Sequence, residues 1–213
     1  MWETRKLAEQ ALNQSLSPFR DLLNQCFESV DRSVGRLELV DTPFGRICAL
    51  VVIKAKNLTV ACYSLSLDAL AQESGAIFRV LIEALERLQY LREDPKRVAE
   101  ALDGRLPKAG EIGKRIQGNL QKLRDHLNAH ASHLSVGPES MKHLFDFNLG
   151  QRRTVQPYSE PVLRKNLATV LTVVLWLATE AATCASVAEG MDNDPEVERI
   201  EDLKERSRPY VTT

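Results

Sequence analysis

Residues 44–63, FGRICALVVIKAKNLTVACY, decide the fold class. The stretch is rich in β-branched residues, which favour strands. A strand hairpin is therefore one reading, but a hairpin of this length needs turn chemistry near its centre, and none is present. Twenty residues with no such break suit a buried helix better. Pro43 stands where it can open that helix, because a first-turn proline gives up no helical hydrogen bond.

Working outward, apolar residues repeat at three and four rather than two, so the chain is expected to be all-α. Leu7, Leu12, Phe19, Leu22, Leu23 and Phe27 form an amphipathic stripe over 4–33, disturbed near Pro18. Ser66 and Asp68 are placed to cap a third helix over 67–92, with Ile77, Phe78, Leu81, Leu85 and Leu88 inward. A brief helix follows Asp94-Pro95 and runs to about 102.

A fourth long helix is expected to reach about 134, with Ile112, Ile116, Leu120, Leu123 and Leu127 facing the core. Gly110, Gly113 and Gly118 weaken its first half by about 1 kcal/mol each relative to Ala, which moves its expected start toward Asn119. Residues 135–160 form a long connection holding a short helix or hairpin. Ser159 and Pro161 start the last long helix, to about 188, with Leu163, Leu167, Val170, Val174, Leu177 and Ala181 inward. The expected architecture is an antiparallel bundle of four to five long helices in one domain, residues 1–213.

Composition fits that picture: 213 residues, 44% hydrophobic and 27% charged, with a net charge of -1. The longest apolar run, Leu167 to Ala178, is too short to span a bilayer, and the first residues lack a signal-peptide pattern, so a cytoplasmic chain with no membrane partner is expected. Cys26, Cys48, Cys62 and Cys184 show no CxxC spacing and read as buried free thiols. Charge is distributed unevenly. Residues 105–124 carry six bases against Glu111, an arrangement that attracts phosphates or simply solvates a helix face. Residues 189–205 carry eight acids against Arg199 and Lys204, and 189–213 read as a solvated acidic tail.

Three of the four histidines fall within LRDHLNAHASHLS, residues 123–135. On a helix, His126, His130 and His133 lie within about 60° of one another. Such a ridge can offer nitrogens to Zn, Ni or Fe, with Glu83 or Glu86 supplying oxygen, but no HExxH or ExxH accompanies it, and neither a metal nor another cofactor is expected. The plainest reading is a structural helix flank. A third uses histidine as a general acid or base on a ribose 2'-hydroxyl, with arginine offsetting phosphorane charge. Arg79 and Glu83, four apart on the third helix, are by default an exposed ion pair; if buried, they need partners such as His133 or Tyr90.

The segment R-DHLNA-H, Arg124 to His130, resembles the Arg-and-His motif of HEPN domains, with Asp125 as the polar residue after the arginine. The order of features is also similar to a bacterial HEPN-like group: RVLIEALERLQYL with Arg79 and Glu83, a broken stretch, LNAHASH, a polar loop and an apolar last helix. Asn128 stands where that group's pattern has Ser. The similarity spans roughly residues 45–185. It implies a helical bundle, a homodimer, and RNA as the partner, either cleaved without metal in a toxin or phage-defence system or only bound. Carried over, Arg124 and His130 take the catalytic Arg and His roles, His133 matches the final His of the bacterial group's pattern, and Arg79 and Glu83 match the Arg and Glu of its earlier helix; the site expected for this chain is Arg124, His130 and His133 as catalytic residues, with Arg79, Glu83, Lys122 and His126 binding the substrate. An antitoxin or other protein is the second implied partner. Two other readings stand beside it: a noncatalytic protein-interaction module, and a metal-binding bundle.

Overall fold

Thr42 starts the helix around which the bundle assembles. Its hydroxyl accepts the N–H of Gly45 at 3.1 Å, and Pro43 occupies the first turn. The computed structural model, which describes residues 2–116, 125, 144–146, 149–152 and 157–211, thus makes the stretch 44–63 helical throughout.

The first stripe divides into α1 (Trp2–Leu12) and α2 (Ser17–Leu39). Pro18 has no N–H to donate and is tolerated only in the first turn, so a new helix begins there. α3 is Pro43–Leu67 and α4 is Ala71–Glu93. The expected caps of α4 are employed elsewhere. Ser66 donates to the Cys62 carbonyl at 2.8 Å, Asp68 accepts from Arg5 at 2.5 and 2.7 Å, and Leu70 at the N-cap supplies no side-chain bond. The α3–α4 turn passes through Ala69 at φ 59°, a left-handed conformation uncommon for a residue with a Cβ.

A 3₁₀ turn (Pro95–Arg97) leads into α5 (Val98–Leu102) and α6 (Ala109–Arg115). α6 is short: Ile112 and Gly113 are buried, that packing offsets the poor helix propensity of glycine, and the helix ends at Arg115, so the long helix expected from near Asn119 to about 134 lies outside the described residues. Within 135–160, where a short helix or a hairpin is expected, β1 (Phe145–Asp146) pairs antiparallel with β2 (Gln151–Arg152). α7 (Glu160–Glu189) and α8 (Pro195–Ser207) complete the chain.

The all-α reading holds. The core lies among α2, α3, α4 and α7, where Phe19, Leu81, Leu88, Leu167, Leu171 and Leu177 are fully buried. α2 and α3 are antiparallel, with Asp31 of the first bonded to Lys56 of the second at 2.5 Å. α7 departs from the antiparallel expectation. Arg164 near its start lies 6.0 Å from the ring of Phe19 near the start of α2, and Glu189 at its end grips Arg36 near the end of α2. The two helices therefore run in the same direction, which the long connection through residues 94–159 permits and a short loop would not.

Both α3 and α7 are long and apolar enough to cross a membrane by length and composition, a test in which the short run Leu167–Ala178 is only part of α7. In α7 72% of the apolar window is buried inside the protein, as expected of a core helix. The acidic segment also differs from a solvated tail. Asp194 caps α8 through the N–H of Glu196 at 2.8 Å, and Ile200 and Leu203 enter the core. Its acids have basic partners: Arg32 holds Glu196 at 2.9 Å, and Arg36 holds Asp194 at 2.8 Å as well as Glu189.

Candidate functional site

On α4, Arg79, Glu83, Glu86 and Tyr90 are spaced four, three and four apart, which sets them on one ridge about 60° wide. The core stripe of Phe78, Leu81, Ile82, Leu85 and Leu88 accounts for the rest of the packing. The ridge changes character along the helix. Arg79 and Glu83 at its start are half-exposed and lie 3.6 Å apart, the ordinary i,i+4 ion pair. Glu86 and Tyr90, farther along, are 3% and 2% exposed.

The cover at the far end is α6. Ile112, Ile116 and Tyr90 form a small apolar cluster of their own, with Leu106 against it. Tyr90 is the hub of the polar contacts there. Its hydroxyl accepts from Arg115 Nη1 at 3.1 Å and donates to Glu100 Oε2 at 3.4 Å. Arg97 stacks over the ring at 4.1 Å from its centroid and donates to the Tyr90 carbonyl at 2.7 Å. Tyr90 is thus engaged by Arg97, Glu100 and Arg115, rather than by Arg79 or Glu83.

The outer surface of this corner is basic. Arg105, Lys108, Lys114 and Arg115 are all exposed. Arg105 is paired with Asp103 at 2.5 Å, whereas Lys108 and Lys114 make no ion pair among the described residues. Glu111 is the single acid on α6. Around α6 the exposed charge is therefore net positive, Lys108, Lys114 and Arg115 against Glu111.

Of the residues singled out in the sequence, Arg79 and Glu83 are brought together at the start of the ridge. Lys122, Arg124, His126, His130 and His133 lie outside the described residues. Tyr90, Arg97 and Arg115 were not among the residues assigned to the site. The spacing Glu83–Glu86–Tyr90 was the available signal, since it continues the same ridge by three and four.

The other reactive side chains of the described chain are inert. All four cysteines are free and buried. Burial pushes the Cys26 thiol up to about 12 and the Cys62 thiol up to about 11. The Cys184 thiol is pushed up by its hydrogen bond with Cys48 and by burial. Cys26, Cys62 and Cys184 are therefore thiols rather than thiolates near neutral pH. Among the described residues no group of three His, Cys, Asp or Glu is arranged to hold a metal. No family model, curated protein or solved structure matches the chain.

Proposed function

We propose that the chain is a HEPN-like helical protein that acts on RNA, and that it cleaves RNA without a metal. The reading takes Arg124, His130 and His133 as the catalytic groups, and Lys122, His126, Arg79 and Glu83 as groups that bind the substrate. One observation carries it: Lys108 at the N-cap of α6 and Lys114 and Arg115 within it are exposed, all three without an ion-pair partner among the described residues, and they precede in the sequence the segment that holds Arg124 and His130. Unneutralised cations on one face concentrate a polyphosphate and release its counter-ions on binding. Lys108 and Lys114 would therefore hold the strand by its phosphates, with no preference among bases.

The chemistry follows from the side chains. A neutral imidazole removes the proton from a 2'-hydroxyl, the 2'-oxygen attacks the adjacent phosphorus, and the 5'-oxygen leaves with a proton supplied by a second acid. The products are a 2',3'-cyclic phosphate and a free 5'-hydroxyl. The Arg124 guanidinium would offset the charge that grows on the phosphoryl oxygens. Single-stranded RNA incubated with the protein in EDTA is the test. Cleavage by the wild type, lost in both Arg124→Ala and His130→Ala, supports the reading; cleavage that survives both substitutions defeats it. RNA binding without any cleavage reduces the activity to recognition.

A noncatalytic interaction module is the second reading, favoured by one observation: an open apolar groove between α2 and the α7–α8 turn.

A further inference from the structure

A small cavity lies where α1, the end of α3 and the start of α7 meet. Thr4 and Ala8, one turn apart on α1, line one wall, and Leu163 and Asn166 of α7 line another. Ser66 of α3 and the segment 157–159 before α7 complete the lining, and the cavity measures about 20 Å³.

Asn166 is the residue of this junction that packing does not explain. It stands between Leu163 and Leu167, both buried, where an apolar side chain would continue the inward face of α7. Its side-chain nitrogen is buried and has no hydrogen-bond partner among the described residues. A buried amide N–H without an acceptor forfeits the hydration it had in the unfolded chain, so native folds pair such groups with protein or with ordered water. Acceptors are at hand in the same lining. The Ser66 hydroxyl donates to the Cys62 carbonyl, which leaves its lone pairs to accept, and Ser159 at the N-cap of α7 makes no side-chain capping bond.

We infer that this cavity is a binding site for a single water molecule, which accepts from Asn166 Nδ2 and donates to the oxygens that line the remaining walls. Size, charge and polarity each narrow the occupant. A buried water needs about 10–15 Å³ of such room and about two to four polar partners, so one water fits and an organic ligand does not. No charged side chain lines the cavity among the described residues. An anion accepting the Asn166 N–H would therefore be buried without a counter-charge, and a cation would face a donor. A purely apolar occupant would leave the amide unsatisfied. Water alone among these is neutral, small enough, and both accepts and donates. The inference is independent of the RNA reading.

Oxygen-17 relaxation dispersion of the full chain tests it, because that measurement sees waters that tumble with the protein and does not see its hydroxyl groups. Two substitutions remove the site by separate means: Asn166→Leu takes away the donor, and Ala8→Val fills the space from the α1 wall. The wild type is expected to show a long-lived water signal that falls by about one molecule in each variant. Circular dichroism checks that both fold, and should Asn166→Leu not fold, Ala8→Val carries the comparison alone. A signal of equal size in the wild type and in either folded variant overturns the inference, as does a wild type with no long-lived water. A crystal structure decides the same point at the atom: an ordered water within hydrogen-bond distance of Asn166 Nδ2 supports the site, and an amide bonded to a protein oxygen beside a dry cavity overturns it.

Discussion

Arg36 Nη1 lies 2.8 Å from Asp194 Oδ2, tying the last turns of α2 to the residue that caps α8. The same carboxylate accepts from Ser186 of α7, so one aspartate joins three helices. Arg36 also grips Glu189. Asp194 is buried, and removing its cation leaves a carboxylate with only neutral donors. Arg36→Ala is expected to cost about 2–4 kcal/mol in urea unfolding, and Asp194→Asn somewhat less, because the amide keeps the shape and part of the bonding.

The same contacts set a pH dependence. Burial pushes the Asp194 carboxyl up, but the bonds from Ser186, Arg36 and the Glu196 N–H more than offset it and leave it below the usual carboxylate range. Glu196 is likewise held low, its burial outweighed by Arg32 and Ser29, and Asp68 is held low chiefly by its hydrogen bond with Arg5. A carboxylate with a depressed folded pKa contributes stability that is fully present above its unfolded value, about 4, and is lost as pH falls through the folded value. The urea midpoint should therefore drop below about pH 4, less steeply in Arg36→Ala than in the wild type. Equal slopes for the two proteins would contradict the assignment to Arg36.

Gly45→Ala tests the α2–α3 contact. The added methyl must push against two backbone oxygens at 2.9 Å, which cannot rotate away as a side chain would. The expected loss is about 1–3 kcal/mol by chemical denaturation, even though alanine is the better helix former. A stabilised variant would mean that α2 and α3 do not approach so closely.

Local chemistry was legible in the sequence, and long-range pairing was not. The spacing of Arg79 and Glu83 was enough to expect an ordinary surface ion pair, and the lack of turn residues in 44–63 was enough to expect α3. Asp68 shows the limit. It stands where a cap of α4 would stand, but its partner Arg5 is 63 residues away and wins the carboxylate. The acidic stretch after Glu189 read as a tail because its cations, Arg32 and Arg36, lie more than 150 residues earlier. Tyr90 and Arg115, 25 residues apart across a broken stretch, could not be paired by any periodicity.

Thiol reactivity follows from burial. All four cysteines lie in the core, so a thiol reagent such as a disulfide of an aryl thiol should find none of them in the native protein and four after unfolding in denaturant. Reaction of even one thiol at the rate of a free cysteine in the folded protein would show that the packing around it is looser than described.

The Tyr90–Arg115 bond separates positioning from binding. Arg115 is exposed and basic, and it is also the donor that fastens α6 to the buried Tyr90 hydroxyl. Tyr90→Phe removes the acceptor but no charge. It should cost about 1 kcal/mol of stability and speed amide exchange in α6, while leaving the salt dependence of RNA binding unchanged. Lys114→Ala removes charge without touching Tyr90, and should lower the slope of log affinity against log salt by about 0.7 while leaving the unfolding curve nearly in place. Arg115→Ala should do both. Fluorescence anisotropy with a labelled single-stranded RNA at several salt concentrations, beside urea unfolding of the same variants, makes the comparison. If Tyr90→Phe reduces the salt slope as much as Lys114→Ala does, the basic face of α6 is not a phosphate contact in its own right, and the α4–α6 corner serves the fold alone.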